Sequence, residues 1–231
     1  MDLLIDLDDT ILDFHKAEGI ALSRTLESFG LSVTEDVLSL YSQINKAHWK
    51  ALERKELTRE QVLTGRFDVL FRQMGMIVDP VAVARCYESN LSQGHYFLPG
   101  AYEALEALYQ KHRLYLVSNG TKRVQDGRLD SAGIRKFFSG IFISQEVGVN
   151  KPDVLFFTHC FERIPGFEKS NVLIVGDSLS SDILGGKNAG IPTCWVNPNG
   201  EAAPADCKPD YEINALSELE ALLAKIEKNP Q

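Results

Sequence analysis

The chain is organised around residues 3–10, Leu3-Leu4-Ile5-Asp6-Leu7-Asp8-Asp9-Thr10. Three apolar residues in succession are too few for a helix and are typical of a short strand that is buried on both faces in a parallel sheet. Three carboxylates and a hydroxyl follow within five positions, and such a group would be strongly unfavourable inside a core. The stretch therefore predicts a strand that ends at a site where water or a cation neutralises the acids.

Length and charge limit the classes of protein that this chain can belong to. With 231 residues, it can bury a large core, either as one elaborated α/β domain or as two modest domains. A formal net charge of -8 argues against a nucleic acid polymer or a membrane surface as partner, because both attract basic surfaces. No apolar run approaches the ~20 residues of a membrane span, and Met1 leads directly into the first strand without a signal peptide. We therefore expect a cytoplasmic protein, and the sequence implies no protein partner.

The cysteines and histidines show no pattern of a metal or disulfide framework. The four cysteines are far apart and form no CxxC pair, which predicts incidental or buried thiols rather than disulfides or a zinc cluster. The five histidines show no metal-ligand spacing either. The candidate catalytic and binding groups are therefore the acids, hydroxyls and lysines.

Residues 15–95 show the apolar periodicity of helices throughout. Gly30 suits the end of a first helix, Thr34 and Thr58 suit the starts of a second and a third, and Asp79-Pro80 suits the start of a fourth. Sequential strands are normally linked by one crossover helix, so an insert of four helices is expected to be a domain of its own. We predict an inserted α-helical domain over residues 15–95, set over the strand ends.

From Pro99 onward, strand and helix patterns alternate. Buried strands are predicted at residues 114–117, 141–143, 172–175 and 193–196. Helices are predicted between them, including one opened by Pro152 and one from about Ser181, and a closing helix follows over residues 216–226. Parallel strands joined by helices predict an α/β fold with a doubly wound parallel sheet, formed by residues 1–14 and 96–231.

Polar residues follow the predicted strands, and ligands in such a sheet bind beyond the carboxyl ends of the strands. These residues are Asp6 and Asp8, then Ser118, Asn119 and Gly120, then Lys151, and finally Asp177 and Asp182. Asp6 and Asp177, with a nearby main-chain carbonyl and water, offer the hard oxygen ligands that Mg²⁺ prefers. Ser118 and the N–H groups of the turn after it predict a cradle for phosphate oxygens, and Lys151 would offset phosphate charge.

These residues resemble the four motifs of the haloacid dehalogenase (HAD) superfamily of phosphohydrolases. The first motif, Asp-x-Asp-x-Thr after a hydrophobic strand, is matched by Asp6, Asp8 and Thr10; the second by Ser118; the third by Lys151; and the fourth by Gly176, Asp177, Ser178 and Asp182. The motifs occur in order, and the resemblance covers nearly the whole chain. The helical insert resembles the C1 cap of that superfamily. The resemblance as a whole implies a Rossmann-like core.

The resemblance implies a catalytic role for four residues: Asp6, Asp8, Ser118 and Lys151. Asp6 would attack phosphorus and form an aspartyl-phosphate, which divides a difficult displacement into two easier steps. Asp8 would protonate the leaving oxygen and then deprotonate the water that hydrolyses the intermediate. Ser118 and Lys151 would stabilise the phosphoryl oxygens during the transfer.

The resemblance also implies a set of binding residues around the nucleophile. Mg²⁺ would bind Asp6, the main-chain carbonyl of Asp8 and Asp177, while Asp182 would hold a water on the metal or orient Asp177. The phosphate would be bound by Ser118, Asn119, Gly120 and Lys151. The motif leaves the position of Asp9 open, so Asp9 is interpreted as a turn residue.

The substrate is expected to be a small phosphorylated metabolite, because a cap that closes over a pocket favours a small monoester and excludes water. Residues 6–14 and 194–200 resemble the branch that includes house-cleaning pyrimidine 5'-nucleotidases, which implies a nucleoside 5'-monophosphate. Sugar-phosphate or phosphoglycolate hydrolysis stays open as an alternative. In the helical insert, Trp49 with His48 and Arg54, or Tyr41, are candidates for contact with the leaving group, although packing inside the insert explains Trp49 more simply.

Three further functions are compatible with parts of the pattern. A haloacid dehalogenase needs the nucleophile but no acid two positions later, because halide leaves unassisted, so Asp8 favours phosphate. A phosphohexomutase would keep Asp8 and differ in its cap and loops. A phospho-accepting signalling receiver module has related acids but is shorter, lacks the insert and requires a long-lived acyl phosphate, which Asp8 is placed to hydrolyse.

Overall fold

The computed structural model describes residues 1–228, which form two compact units. Phe14–His95 and Arg123–Ser131 form the helical unit, and the other described residues form the sheet unit. The predicted boundaries assign residues 123–131 to the core, whereas these residues cluster with the helices. The boundaries themselves stay a prediction, and residues 229–231 of the predicted core lie outside the described residues.

The sheet unit contains one six-stranded parallel sheet with the strand order β3-β2-β1-β4-β5-β6. Its strands are β1 Asp2–Ile5, β2 Arg113–Ser118, β3 Phe138–Ile143, β4 Val172–Gly176, β5 Thr193–Val196 and β6 Tyr211–Ile213. The order reverses direction at β1, so the doubly wound parallel sheet is confirmed. The sequence did not predict β6, since a three-residue edge strand has too little buried surface for a readable apolar pattern.

Ten α-helices occur among the described residues. They are α1 Phe14–Ser28, α2 Glu35–Glu53, α3 Arg59–Gln73, α4 Pro80–Leu91, α5 Ala101–Tyr109, α6 Lys122–Ala132, α7 Ser144–Val147, α8 Val154–Phe161, α9 Leu184–Ala189 and α10 Leu219–Lys228. Over residues 1–228, none of them has the length and apolar character to cross a bilayer. The prediction that Pro152 opens α8 is wrong by two residues: the helix begins at Val154, because the Asp153 side chain accepts a hydrogen bond from the Leu155 N–H at 3.0 Å and caps it.

The central strand β1 determines where the acidic residues lie. Leu3, Leu4 and Ile5 are completely buried, which matches the expected strand covered on both faces. Ile5, the last residue of β1, is paired with Leu116 of β2 and with Val175 of β4, so the ends of the three strands lie close together. Asp6 follows at once, and polar residues after β2 and β4 meet it at one edge of the sheet.

The start signals predicted for the helical unit are all present. Thr34 Oγ1 accepts from the Val37 N–H at 3.3 Å, and Asp79 Oδ1 accepts from the Val81 N–H at 3.0 Å. Thr58 and Gln61 bond reciprocally through side chain and main chain, as in a capping box. Local sequence therefore sets where α2, α3 and α4 begin.

The interior of the helical unit contains a charged residue that the apolar pattern did not predict. Arg66 is almost completely buried, and its guanidinium carbon lies 4.9 Å from the centre of the Tyr87 ring. Its Nη1 donates to Asn45 Oδ1 at 2.7 Å, and Asn45 Nδ2 donates to Glu18 Oε1 at 2.6 Å. An amide therefore links a buried cation to a buried carboxylate, and the aromatic face of Tyr87 contributes a cation–π contact.

Close packing explains why α6 clusters with the helices of the insert. A Cβ atom on Gly127 would lie 2.7 Å from the Ser92 carbonyl oxygen, a main-chain atom at the end of α4. Beside it, Arg128 Nε donates to the Gly94 carbonyl at 2.9 Å. The missing side chain at Gly127 allows this approach.

We predict opposite effects for two Gly→Ala substitutions in helix interiors of the helical unit. Gly127→Ala should lower the free energy of unfolding by about 1–3 kcal/mol, because the new methyl group overlaps main-chain atoms that cannot move cheaply. Gly19→Ala is the matched control, since an added Cβ would have no atom within 4 Å apart from the neighbouring backbone of its own helix, and it should raise stability by about 0.5–1 kcal/mol. Urea unfolding measures both changes. Equal stability of the two variants would contradict the packing described here.

Candidate active site

A buried ion-pair network lies at the carboxyl ends of β1 and β4. Lys151 is fully buried, and its Nζ donates to Asp6 Oδ1 at 2.7 Å, Asp182 Oδ1 at 2.6 Å and the Val117 carbonyl at 2.8 Å. Three acceptors thus satisfy the three donors of the ammonium group. Burial alone would lower the pKa of Lys151, but the Asp182 and Asp6 carboxylates raise it above its usual value. The lysine is therefore a fixed positive charge beside Asp6.

Three carboxylates converge around this lysine. Asp6, Asp177 and Asp182 each place one oxygen within 4.8 Å of the others. Burial raises the pKa of Asp6 to about 8, with Lys151 opposing the rise and Asp182 adding to it. Burial also raises the pKa of Asp177 well above its usual value, and Asp6 adds to that rise. One ammonium does not neutralise three carboxylates, so the site has the charge deficit and the oxygen donors that suit a divalent cation.

The Asp177 carboxylate is placed by its main chain. Its N–H donates to Thr10 Oγ1 at 3.1 Å, and its carbonyl accepts from the Trp195 indole Nε1–H at 2.7 Å. Thr10 lies in the turn after β1, and Trp195 lies in β5. Two separate parts of the chain therefore hold the main chain of Asp177. Thr10 thus braces the segment that carries Asp177, and sequence reasoning did not single out the Trp195 contact.

The rest of the last motif folds around Asp182. The Ser178 N–H donates to Asp182 Oδ2 at 3.1 Å, and the Ser178 side chain accepts from the Ser181 N–H at the start of a π-helical turn, Leu179–Ile183. A Cβ atom at Gly176 would overlap the Asp182 carboxylate. Glycine at 176 therefore permits Asp182 to approach Lys151 and the sheet.

Asp8 lies in the tight turn that follows β1. The Leu7 carbonyl accepts from the N–H groups of both Ile11 and Leu12 at 3.0 Å, and Asp9 has a φ of 54°. Asp tolerates this left-handed conformation better than most residues, and the interpretation of Asp9 as a turn residue agrees with the structure. The structure does not bring the Asp8 carboxylate into the three-acid cluster, so a metal contact of Asp8 is left to its main-chain carbonyl.

The segment after β2, which was predicted to bind phosphate, also contacts Lys151. Ser118 is buried, and the Gly120 N–H is directed at Ser118 Oγ at 3.2 Å. Asn119 uses its side-chain amide on the main chain of Lys151, with Oδ1 accepting from its N–H at 2.8 Å and Nδ2 donating to its carbonyl at 2.9 Å. The Asn119 side chain thus positions the main chain of Lys151, a role that sequence reasoning did not predict. Phosphate binding by Ser118, Asn119 and Gly120 stays a prediction.

The candidates in the helical insert have structural surroundings of their own. Tyr41 is completely buried and stacks on Phe67, with ring centroids 5.2 Å apart. Trp49 is partly exposed, and the Arg59 guanidinium lies 5.7 Å from its ring centroid. Packing within the helical unit therefore explains Tyr41, and Trp49 lies near a cation that the sequence did not associate with it.

Comparison with known proteins agrees with this geometry. Residues 3–196 match the family model described as haloacid dehalogenase-like hydrolase. The chain is similar to the HAD-hydrolase YfnB of Bacillus subtilis, with 40% identity over 96% of this chain and 94% of the relative. The crystal structure of YfnB bound to magnesium superimposes with a TM-score of 0.92 and covers 96% of this chain and 97% of that one.

Two further relatives carry more specific names. The pyrimidine 5'-nucleotidase PynA of Streptococcus pneumoniae is 38% identical over 94% of this chain and 92% of its own length. The pyrimidine 5'-nucleotidase YjjG of Escherichia coli is 32% identical over 96% of this chain and 97% of its own length. On the family match and on these similarities over nearly full length, the chain belongs to the haloacid dehalogenase-like hydrolases.

Proposed function

We propose that this hydrolase cleaves small phosphate monoesters with Mg²⁺ as cofactor and Asp6 as nucleophile. The observation that carries the proposal is the convergence of Asp6, Asp177 and Asp182 around Lys151 at the carboxyl ends of the sheet. Asp8 follows two residues after Asp6, as phosphate chemistry requires and dehalogenation does not. A phosphatase mechanism therefore accounts for Asp8 as well as for the three-acid cluster, whereas a dehalogenase mechanism leaves Asp8 unexplained.

The donors at the site fit a magnesium ion. Asp6 and Asp177 would hold the ion with the main-chain carbonyl of Asp8, and Asp182, held by Lys151, would support them from behind. When bound, Mg²⁺ supplies charge neutralisation between the carboxylates and a phosphate dianion. The raised pKa values of Asp6 and Asp177 support this assignment, because buried acids need a nearby positive charge to remain ionised at neutral pH.

In the first step, a carboxylate oxygen of Asp6 forms a bond to phosphorus as the bond from phosphorus to the ester oxygen breaks. The Lys151 ammonium holds Oδ1 of Asp6, which fixes the orientation of the attacking group and places a positive charge beside the transferring phosphoryl oxygens. Asp8 donates its proton to the departing ester oxygen. The products of this step are a free alcohol and an aspartyl-phosphate.

In the second step, water attacks the phosphorus of the aspartyl-phosphate. Asp8, which is now ionised, takes a proton from that water as the bond between phosphorus and Asp6 breaks. Inorganic phosphate leaves, and both acids return to their starting states. One residue thus serves as acid and then as base, which splits the hydrolysis into two balanced displacements.

We propose a pyrimidine nucleoside 5'-monophosphate as the substrate and the cytoplasm as the location. The names of PynA and YjjG support the substrate, since both relatives match nearly the whole chain. Four unpaired cysteines are typical of a reducing compartment. We infer no role for a nucleic acid polymer, a membrane or a protein partner in the reaction.

Asp8→Asn should separate the two steps. With p-nitrophenyl phosphate, whose leaving group needs little protonation, the variant should release about one nitrophenol per enzyme in a burst and then turn over about 10²–10⁴-fold more slowly than the parent. With an alkyl phosphate, the burst should also be lost, because the poor leaving group needs the acid. Stopped-flow absorbance of the released nitrophenol measures the burst and the later turnover.

Asp6→Asn is the control for the Asp8 experiment, because it should retain the fold and show neither burst nor turnover. Full activity of Asp6→Asn, or of the parent protein in EDTA, would contradict the proposed mechanism. Circular dichroism establishes that both variants are folded.

The metal-free protein should lose stability as the pH rises from about 5 to 8. Asp6 and Asp177 have raised pKa values in the native state, so the native state holds protons that the unfolded chain releases, and raising the pH favours unfolding. The free energy of unfolding should fall by up to about 1.4 kcal/mol per pH unit for each such proton. Urea unfolding in EDTA at several pH values, repeated with Mg²⁺, measures the effect, and Mg²⁺ should reduce the slope.

Asp177→Asn is the matched variant for this pH dependence. It removes one buried carboxylate, so in EDTA at pH 8 it should be more stable than the parent protein, and its stability should respond less to Mg²⁺. A parent protein that becomes more stable relative to Asp177→Asn between pH 5 and 8 in EDTA would overturn the charge assignment.

A phosphate-release screen with Mg²⁺ should rank UMP and dTMP above purine nucleotides, sugar phosphates and 2-phosphoglycolate. The comparison should use kcat/KM, since this ratio measures discrimination between substrates. A higher kcat/KM for a sugar phosphate or for 2-phosphoglycolate would reject the nucleotidase assignment while leaving the phosphatase mechanism in place. No release from any monoester would reject both.

A further inference from the structure

We propose that Trp195 is a positioning residue for the cation site, acting through the main chain of Asp177. This inference rests on the proposed function, because it concerns the same metal ligand. Trp195 lies outside the four sequence motifs. It belongs to β5, which is separated from β1 and its nucleophile by β4.

The contact of Trp195 is specific and buried. Its indole Nε1–H donates to the Asp177 carbonyl at 2.7 Å, and the residue is only 3% exposed. The indole has a single donor and no acceptor, and a buried indole N–H normally has a partner. The partner here is the carbonyl of the residue whose carboxylate faces Asp6 and Asp182.

The three acids of the cluster are held in different ways. Asp6 and Asp182 each accept a hydrogen bond from the Lys151 ammonium. Within residues 1–228, no protein donor bonds to the Asp177 carboxylate. The hydrogen bonds of Asp177 are made by its main-chain N–H and carbonyl groups. The direction of this carboxylate therefore depends on how firmly its peptide groups are held.

Two side chains hold those peptide groups from opposite sides. Thr10 accepts from the Asp177 N–H, and Trp195 donates to its carbonyl. Trp195 also pairs in register with Gly176, so the indole lies directly beside the segment that it supports. Removing the indole donor would leave the Asp177 carbonyl without its bond while Thr10 still held the N–H. The peptide could then rotate, and the carboxylate would sample directions that do not bind the cation.

A packing role and a positioning role predict different results. If the ring serves only to fill space, an isosteric ring without N–H should bind metal as well as tryptophan does. If the N–H orients Asp177, loss of that one group should weaken the cation site while the fold is retained. The affinity for a metal ion in the absence of substrate distinguishes these two roles.

The test compares Trp195→Phe with Trp49→Phe, the same substitution at the other of the two tryptophans. Free Mn²⁺ is measured by electron paramagnetic resonance during titration of each protein. Trp195→Phe should bind Mn²⁺ about 10-fold more weakly than the parent, and it should need about 10-fold more Mg²⁺ for half-maximal phosphatase activity. Its kcat at saturating Mg²⁺ should stay within about twofold of the parent, and Trp49→Phe should bind Mn²⁺ like the parent.

A second protein removes only the N–H group. In the Trp49→Phe background, Trp195 is the one remaining tryptophan, so incorporation of 3-benzothienylalanine changes a single site and replaces N–H by sulfur. This protein should show the same loss of Mn²⁺ affinity as Trp195→Phe, with an unfolding midpoint in EDTA close to that of its background. It decides the question if Trp195→Phe does not fold.

Unchanged Mn²⁺ affinity in the folded benzothienyl protein would overturn the inference and leave the proposed function standing. A parent protein that binds neither Mn²⁺ nor Mg²⁺ and releases no phosphate would overturn the proposed function and the inference together. The two failures are therefore distinguishable.

Discussion

The structure depends on one buried ammonium group, that of Lys151, which bonds to Asp6, to Asp182 and to the Val117 carbonyl. Removing one partner of a buried ion pair typically costs about 3–5 kcal/mol, because an uncompensated charge remains. Residues that are 145 and 31 positions from the lysine along the chain are thus fixed around one point. The Asn119 amide in turn holds the main chain of Lys151, so the segment after β2 contributes to the site by fixing its cation.

The same network contains three carboxylates and only one ammonium group, so the site has an excess of negative charge. Lys151 offsets part of the charge of Asp6, Asp177 and Asp182, and burial raises the pKa of both Asp6 and Asp177. A core selected for stability alone would avoid this arrangement, since buried acids destabilise the native state as they ionise. Proteins commonly accept such a cost where function requires it. The charge deficit therefore supports the proposed divalent cation.

The sequence predicted what local patterns determine. Apolar runs followed by acids located β1 and β4, and cap residues such as Thr58 and Asp79 located helix starts, because these signals lie within a few residues of one another. The contacts that it missed join distant segments: the Asn119 amide with Lys151, the Trp195 indole with Asp177, and Arg66 with Asn45. Periodicity identifies a buried position but not the partner that a buried polar group finds there. The motifs therefore contained the residues that gather at the strand ends, Asp6, Lys151, Asp177 and Asp182, and only the structure shows how each is held.

In the proposed mechanism, Asp6 receives the phosphoryl group beside a cation that Asp177 helps to hold. A crystal structure of the protein with Mg²⁺ and beryllofluoride, a mimic of an acyl phosphate, tests it most directly. We expect the beryllium adduct on the Asp6 carboxylate, with Mg²⁺ coordinated by Asp6 and Asp177. A cation bound away from Asp177, or an adduct on a residue other than Asp6, would contradict it.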